Sequence, residues 1–142
     1  MKMPVAGGCQ CGAVRYEISA APIQIYLCHC RECRRQSASA FGISAIFPRP
    51  ALTLTQGETK TWTRPTDSGR VLDCVFCNIC GSRVWHATSG EDVVSIKGGS
   101  LDGPVDLTGA MHIWTSRKMA GVMIPDDAIQ YAEEPVSGRS VT

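Results

Sequence analysis

Three clusters of cysteine residues constrain this chain more strongly than any other feature of its sequence. The 142 residues include eight cysteines, and seven of them form a C-x-C pair, a C-x-C-x-x-C triad and a C-x-x-C pair: Cys9 and Cys11; Cys28, Cys30 and Cys33; Cys77 and Cys80. Thiolates one or two residues apart can hold one tetrahedral metal ion from a tight turn. In a reducing compartment such clusters are more often metal ligands than disulfide partners. The sequence therefore predicts that the chain binds zinc.

The seven cysteines can be divided into two zinc sites. A structural zinc takes four ligands, commonly as two pairs from separate parts of the chain. The two pairs fit that role and are called the four-cysteine set: Cys9, Cys11, Cys77 and Cys80. Three protein ligands with an open fourth position are typical of a catalytic zinc. The remaining cluster fits that role and is called the cysteine triad: Cys28, Cys30 and Cys33. Other divisions stay open, because a sequence does not fix which cysteines share an ion.

Two further residues could close the fourth position of the triad. His29 lies between two predicted ligands and could bind the ion or donate a proton, although alternation along the chain favours a side chain that points elsewhere. Cys74 could also act as the fourth ligand, which would remove the catalytic interpretation. Its alignment with Leu72 and Phe76 favours a buried core residue instead.

The ligand type indicates which chemistry an open site supports. A divalent zinc ion with three thiolates carries net negative charge and is a poorer Lewis acid than zinc held by three neutral histidines. Activation of water is therefore disfavoured. A thiol that takes the fourth position loses its proton to the metal and becomes an electron-rich nucleophile. A three-cysteine site is thus better suited to sulfur chemistry than to hydrolysis.

Short segments of alternating polarity predict an all-β protein. They recur, with turn residues between them, at 13–18, 23–27, 43–47, 52–55, 59–63, 70–76, 83–86, 92–97 and 110–114. We expect 52–55 and 59–63 to form a hairpin, and a short helix at 31–40. The length fits one domain, 1–142, with its core at about 4–133. Residues 134–142 lack apolar periodicity and are expected to fray.

Charge and hydropathy exclude several classes of partner. The 14 basic and 13 acidic residues nearly cancel, which argues against nucleic acid or an anionic membrane surface as the main partner. No apolar run approaches the roughly 18 residues of a membrane span. The first residues contain no apolar segment typical of a secretory signal. We therefore expect a cytoplasmic protein that binds neither nucleic acid nor membranes.

Several residues outside the cysteine clusters are candidates for the functional site. The arginines beside the triad could bind a carboxylate of a peptide-like thiol or form a solvated helix face: Arg31, Arg34 and Arg35. Glu32 is a candidate acid or base, with a surface carboxylate as the simpler interpretation. The histidines and tryptophans of the predicted strands are expected to be structural: His86, His112, Trp62, Trp85 and Trp114. For the two histidines, contact with the active pocket is the lesser alternative.

The cysteine motifs resemble those of a known family, the glutathione-dependent formaldehyde-activating enzymes, also called the Gfa or CENP-V domain family. The resemblance rests on three segments in the same order and at similar intervals: GGCQCG at 7–12, CHCREC at 28–33 and FCNICG at 76–81. It extends over about 4–133 and includes MHIW at 111–114 and IPDD at 124–127. Ala38 departs from the family pattern, which has glycine five residues after the triad.

The resemblance implies a β-tent fold of the Mss4-like type, with short antiparallel sheets, one or two helical turns and two zinc ions. It implies a structural zinc on the four-cysteine set and a catalytic zinc on the triad. The implied activity is that of a carbon–sulfur lyase that joins a small thiol such as glutathione to formaldehyde. This activity agrees with the sulfur chemistry expected of three thiolates. The alternatives are a non-catalytic zinc-stapled binding module and a thiol carrier or redox sensor.

Overall fold

Ten strands and one α-helix form the computed structural model, which describes residues 1–135. The strands are β1 (Val5–Gly8), β2 (Arg15–Ile18), β3 (Gln24–Cys28), β4 (Gly42–Pro48), β5 (Leu52–Gln56), β6 (Thr59–Pro65), β7 (Val71–Cys77), β8 (Arg83–Thr88), β9 (Val93–Lys97) and β10 (Met111–Ile113). The helix is α1 (Arg31–Ser37), and three short 3-10 turns complete the regular structure of this part of the chain. The predicted all-β class is confirmed.

The strands divide into two sheets. The small sheet has the order β1-β2-β5, and the large sheet has the order β10-β3-β4-β9-β8-β7-β6. Neighbouring strands are antiparallel with one exception, since β10 runs parallel to β3 with His112 opposite Leu27. The expectation of antiparallel sheets is therefore corrected at this edge. A parallel neighbour needs a long return connection rather than a tight turn, and the chain between β9 and β10 supplies it.

The predicted hairpin of 52–55 and 59–63 is wrong. Strand β5 pairs with β2 in the small sheet, whereas β6 pairs with β7 in the large sheet. Gly57 lies between them with a φ of 86°. A Cβ atom at this position would lie 2.2 Å from the carbonyl oxygen of Ala13. The chain therefore passes from one sheet to the other at a point where only glycine fits.

The two faces of the large sheet pack against different partners. One face packs on the small sheet around Tyr16 and Ile18, which are fully buried. Side chains alternate between the faces along each strand, so the other face carries a second cluster. That cluster surrounds the cysteine triad and contains Tyr26, Ile46, Val93 and Ile113. The main core and the triad thus lie on opposite faces of one sheet.

Helix α1 is three residues shorter than predicted. It ends at Ala38, which has a φ of 50° in the left-handed region and whose N–H bonds to the carbonyl groups of Arg34 and Arg35. A left-handed residue commonly ends a helix in this way, with glycine as the least strained choice. Within residues 1–135 no helix is long and apolar enough to cross a membrane.

The segment after β10 is bound to the edge of the large sheet. The backbone N–H of Trp114 donates to the carbonyl of Glu133 at 3.0 Å, and its indole N–H donates to Glu134 at 2.9 Å. Pro135 is buried. The packed region therefore extends beyond residue 133 into the segment expected to fray. The rest of that segment, 136–142, lies outside the described residues.

Candidate metal sites and the adjoining pocket

The end of β1 and the turn between β7 and β8 bring the four-cysteine set together. The four Sγ atoms all lie within 4.8 Å of one another. The Sγ atom of Cys11 lies 3.6 Å from that of Cys9 and 3.8 Å from that of Cys77. Sulfur ligands at 2.3 Å from a tetrahedral zinc ion lie about 3.8 Å apart. The donor type, number and spacing therefore fit zinc.

Backbone amides are directed at the sulfur atoms in both turns. The N–H of Val14 donates to Cys9 Sγ at 3.2 Å. The N–H groups of Ile79 and Cys80 donate to Cys77 Sγ at 3.3 and 3.5 Å. Such hydrogen bonds favour the ionised form of a thiol, which is the form that binds metal. The backbone of both turns therefore favours ionised cysteines at these positions.

The cysteine triad is buried where β3 leads into α1. Cys28 ends β3, and Cys30 caps the helix, with its Sγ accepting the N–H of Cys33 at 3.3 Å. The three Sγ atoms lie within 4.8 Å of one another. Hydrogen bonds from Cys28 and Cys33 hold the pKa of Cys30 well below its usual range, whereas the pKa of Cys28 is raised. A cation among the three sulfur atoms would allow all three thiols to ionise at this spacing, and zinc fits that role.

Neither alternative fourth ligand joins the triad in the part of the chain that the structure describes. His29 is fully buried, and its Nε2 lies 3.0 Å from Nδ1 of His112. Burial lowers the pKa of His29 to about 4, so the ring is neutral at pH 7. Cys74 is fully buried and lies opposite His86 across β7 and β8. Both side chains lie where the sequence favoured them, outside the ligand group.

A pocket of about 420 Å³ opens beside Cys33. Helix α1 forms one wall, and β6 to β9 form the others. Its lining contains one carboxylate, Glu32, and four cationic side chains: Arg35, Arg64, Arg83 and Lys97. The pocket therefore attracts anions, and it places them next to the triad.

Lys97 is the buried cation of this pocket. Lys97 is 7% exposed, and its Nζ atom lies 2.6 Å from Nδ1 of His86. Burial lowers the pKa of Lys97 to about 8, and the charge of Cys33 opposes that shift. The side chain is therefore mostly cationic at pH 7, with the histidine as its hydrogen-bond acceptor.

The structure corrects two expectations about pocket residues. Trp62 was expected in the core, but its position on edge strand β6 leaves it 53% exposed at the pocket. His86 was expected to be structural, with contact to the active pocket as the lesser alternative, and it lines the pocket. Sequence reasoning missed Lys97, although it alternates with Val93 and Ser95 in a buried strand. That register was the available signal for an inward-pointing lysine.

The arginines beside the triad differ in which cavity they line, whereas Trp85 lies at the main core. Arg31 lines a second cavity of about 420 Å³ together with Cys30 and Trp114. Arg34 lies away from the Cys33 pocket, and Arg35 lines it. Trp85 packs edge-on against Tyr16, in the core as expected.

Comparison with known proteins matches this geometry to one family. A family model described as glutathione-dependent formaldehyde-activating enzyme matches residues 4–117, which is about four-fifths of the chain. A crystal structure of a Rhodobacter sphaeroides protein superposes with a TM-score of 0.60 at 23% sequence identity. The match covers 75% of this chain and 98% of that one. The structural similarity supports the fold.

Proposed function

The chain belongs to the glutathione-dependent formaldehyde-activating enzyme family, and on that premise we propose that it is a zinc-dependent carbon–sulfur lyase. Its reaction joins a small thiol, glutathione or a similar one, to formaldehyde or another aldehyde, and reverses that addition. The cysteine triad carries the proposal, because three buried thiols converge beside a cationic pocket. That arrangement suits binding of an anionic thiol better than activation of water.

We assign different roles to the two groups of cysteines. The four-cysteine set holds a structural zinc, since four thiols fill a tetrahedral shell. The triad holds a catalytic zinc through Cys28, Cys30 and Cys33, because three thiols leave one position for a substrate. This division is supported by the absence of a fourth ligand from the triad group within the described residues.

The chain's residues prepare the pocket for an anionic thiol. When bound, zinc lowers the pKa of a thiol in its fourth position and so supplies a nucleophile at neutral pH. The cations of the pocket attract carboxylates of the incoming molecule. The guanidinium of Arg64 lies 3.8 Å from the carboxylate of Glu32, and both residues line the pocket. Cys33 is 2% exposed, so its own sulfur has little contact with water.

The proposed substrate and location are consistent with the thiol chemistry. A small thiol and an aldehyde are the partners required, and nucleic acid has no place in the reaction. Because the ligands must be reduced thiols, we place the protein in the cytoplasm, where cysteines stay reduced.

Zinc content and one variant test this function. We expect two zinc ions per chain, one of them easily released by a chelator. Cys33→Ser should bind one zinc, keep its fold and lose catalysed exchange between glutathione, formaldehyde and S-hydroxymethylglutathione. Elemental analysis, thermal unfolding and exchange NMR measure these three properties.

Different results of these experiments would indicate a different function. Two equally inert zinc ions, together with a sharp fall in melting temperature for Cys33→Ser, would indicate a zinc-stapled binding module, because the energy of metal binding would then be folding energy. Unchanged exchange in Cys33→Ser would remove the triad from the reaction.

A further inference from the structure

The proposed reaction moves negative charge from sulfur to oxygen inside a buried site. When a thiolate adds to a carbonyl, the sulfur lone pair forms the C–S bond and the C=O π pair moves to oxygen. An oxyanion formed beside buried thiolates is costly unless a fixed donor faces it. The proposed reaction therefore needs a donor group that faces the carbonyl oxygen.

The pocket holds a cation in a suitable position. Lys97 lines the same pocket as Cys33, and it comes from β9 whereas Cys33 comes from α1. Its ammonium group is fixed by a 2.6 Å contact with Nδ1 of His86, and both residues are buried. A buried lysine in a strand needs an anionic partner to offset its desolvation. Within the described residues, no carboxylate forms an ion pair with Lys97, and the negative charge that faces it comes mainly from the cysteine triad.

From this geometry we propose that Lys97 binds the carbonyl oxygen of the aldehyde and stabilises the oxyanion, with His86 as its positioning residue. The inference rests on the proposed function and adds the site for the second substrate. The reaction balances without another reactant: the thiol releases one proton on binding, and the oxyanion takes up one proton to give the hydroxymethyl group. Lys97 contributes charge and hydrogen bonds and forms no covalent bond.

A lysine variant separates this role from binding of the thiol. Lys97→Met removes the charge and keeps a long apolar side chain in the strand. We expect a fall of about 100-fold or more in the exchange rate, the usual cost of removing one oxyanion donor. The affinity for glutathione alone, measured by calorimetry on the two-zinc protein, should stay within about twofold because the lysine faces the aldehyde. Lys60→Met is the matched control, since Lys60 is exposed on β6 and should change neither value.

Two outcomes of the variant would overturn the inference. An unchanged exchange rate would show that the lysine does not face the oxygen. Glutathione binding weakened tenfold or more would assign Lys97 to a carboxylate of the thiol instead. A wild-type protein with two zinc ions and no exchange would overturn the proposed function itself, which separates the two failures.

A measurement on the unmodified protein keeps the test decisive if Lys97→Met does not fold. Formaldehyde with cyanoborohydride methylates those amines that the aldehyde reaches. Of the four lysines in the chain, Lys97 is the buried one. We expect mass spectrometry to find methylation of Lys97 in the zinc-loaded protein, because the pocket admits formaldehyde to this amine. Complete methylation of the other three with Lys97 unmodified would overturn the inference.

Discussion

Cys30 combines two tasks in one side chain. It is the N-cap of α1, where its sulfur accepts the N–H of Cys33 at 3.3 Å, and it belongs to the triad. A helix of seven residues has little stability of its own. The cap therefore fixes the first turn, and the first turn fixes the position of Cys33 relative to Cys28.

Two substitutions at Cys30 separate capping from metal binding. We expect both Cys30→Ser and Cys30→Ala to lose the zinc of the triad and to retain the zinc of the four-cysteine set. Serine still caps the helix, so Cys30→Ala should be less stable than Cys30→Ser by about 1 kcal/mol, the typical value of an N-cap. Urea unfolding followed by circular dichroism measures the difference. Equal stabilities would contradict the capping role.

The ease of predicting a site residue depends on how local its signal is. The triad and the four-cysteine set were recognisable because metal ligands recur at short, fixed spacings, and the structure brings each group together. The other pocket walls come from strands far apart in sequence, so Trp62, Arg64 and Arg83 carried no local signal. Their position depends on the order of β6 to β9 in the large sheet.

At the scale of elements, the passage from β5 to β6 determines how the two sheets are connected. Alternation around a turn is the usual signature of a hairpin, and both strands were predicted correctly from it. The pairing of these strands was predicted wrongly, because alternation of apolar and polar residues shows which side of a strand is buried and does not show which strand lies beside it. Strand β5 instead pairs with β2, which lies far earlier in the chain.

Substitution of Gly57 tests this crossing. Gly57→Ala places a methyl 2.2 Å from the carbonyl oxygen of Ala13 in addition to requiring a positive φ. We expect the free energy of unfolding to fall by about 3 kcal/mol, since clash adds to strain. Gly69→Ala is the control, with a φ of 82° but no atom within 4 Å, and should cost about 1 kcal/mol. Similar losses in the two variants, measured by urea unfolding, would contradict the close packing at Gly57.

At the scale of the whole molecule, the four-cysteine set joins parts that are remote in sequence. Strand β1 belongs to the small sheet, and β7 and β8 belong to the large one. An ion held by Cys9, Cys11, Cys77 and Cys80 therefore crosslinks the two sheets at one end. Cys11 and Cys77 are 66 residues apart in sequence. Closing so long a loop restricts the conformations of the unfolded chain, as a disulfide does.

Loss of this crosslink should affect stability throughout the protein. Because structural zinc supplies several kcal/mol of folding energy, we expect Cys80→Ser to lose one zinc and to melt about 10 °C lower or more. Cys74→Ala is the matched control, because Cys74 is buried but lies outside both groups, and it should keep two zinc ions. A fully stable, two-zinc Cys80→Ser protein would refute the assignment of the ligands.

Substitutions on the two faces of the large sheet are expected to affect different properties of the protein. Substitutions around Tyr16 and Ile18 affect folding, since the main core packs there. Arg35 and Trp62 are exposed at the pocket on the other face, so the core does not depend on them. If the proposed function holds, new preferences among thiols can arise by single substitutions at these two positions while the scaffold keeps its shape, which makes them the first choice for a selection experiment.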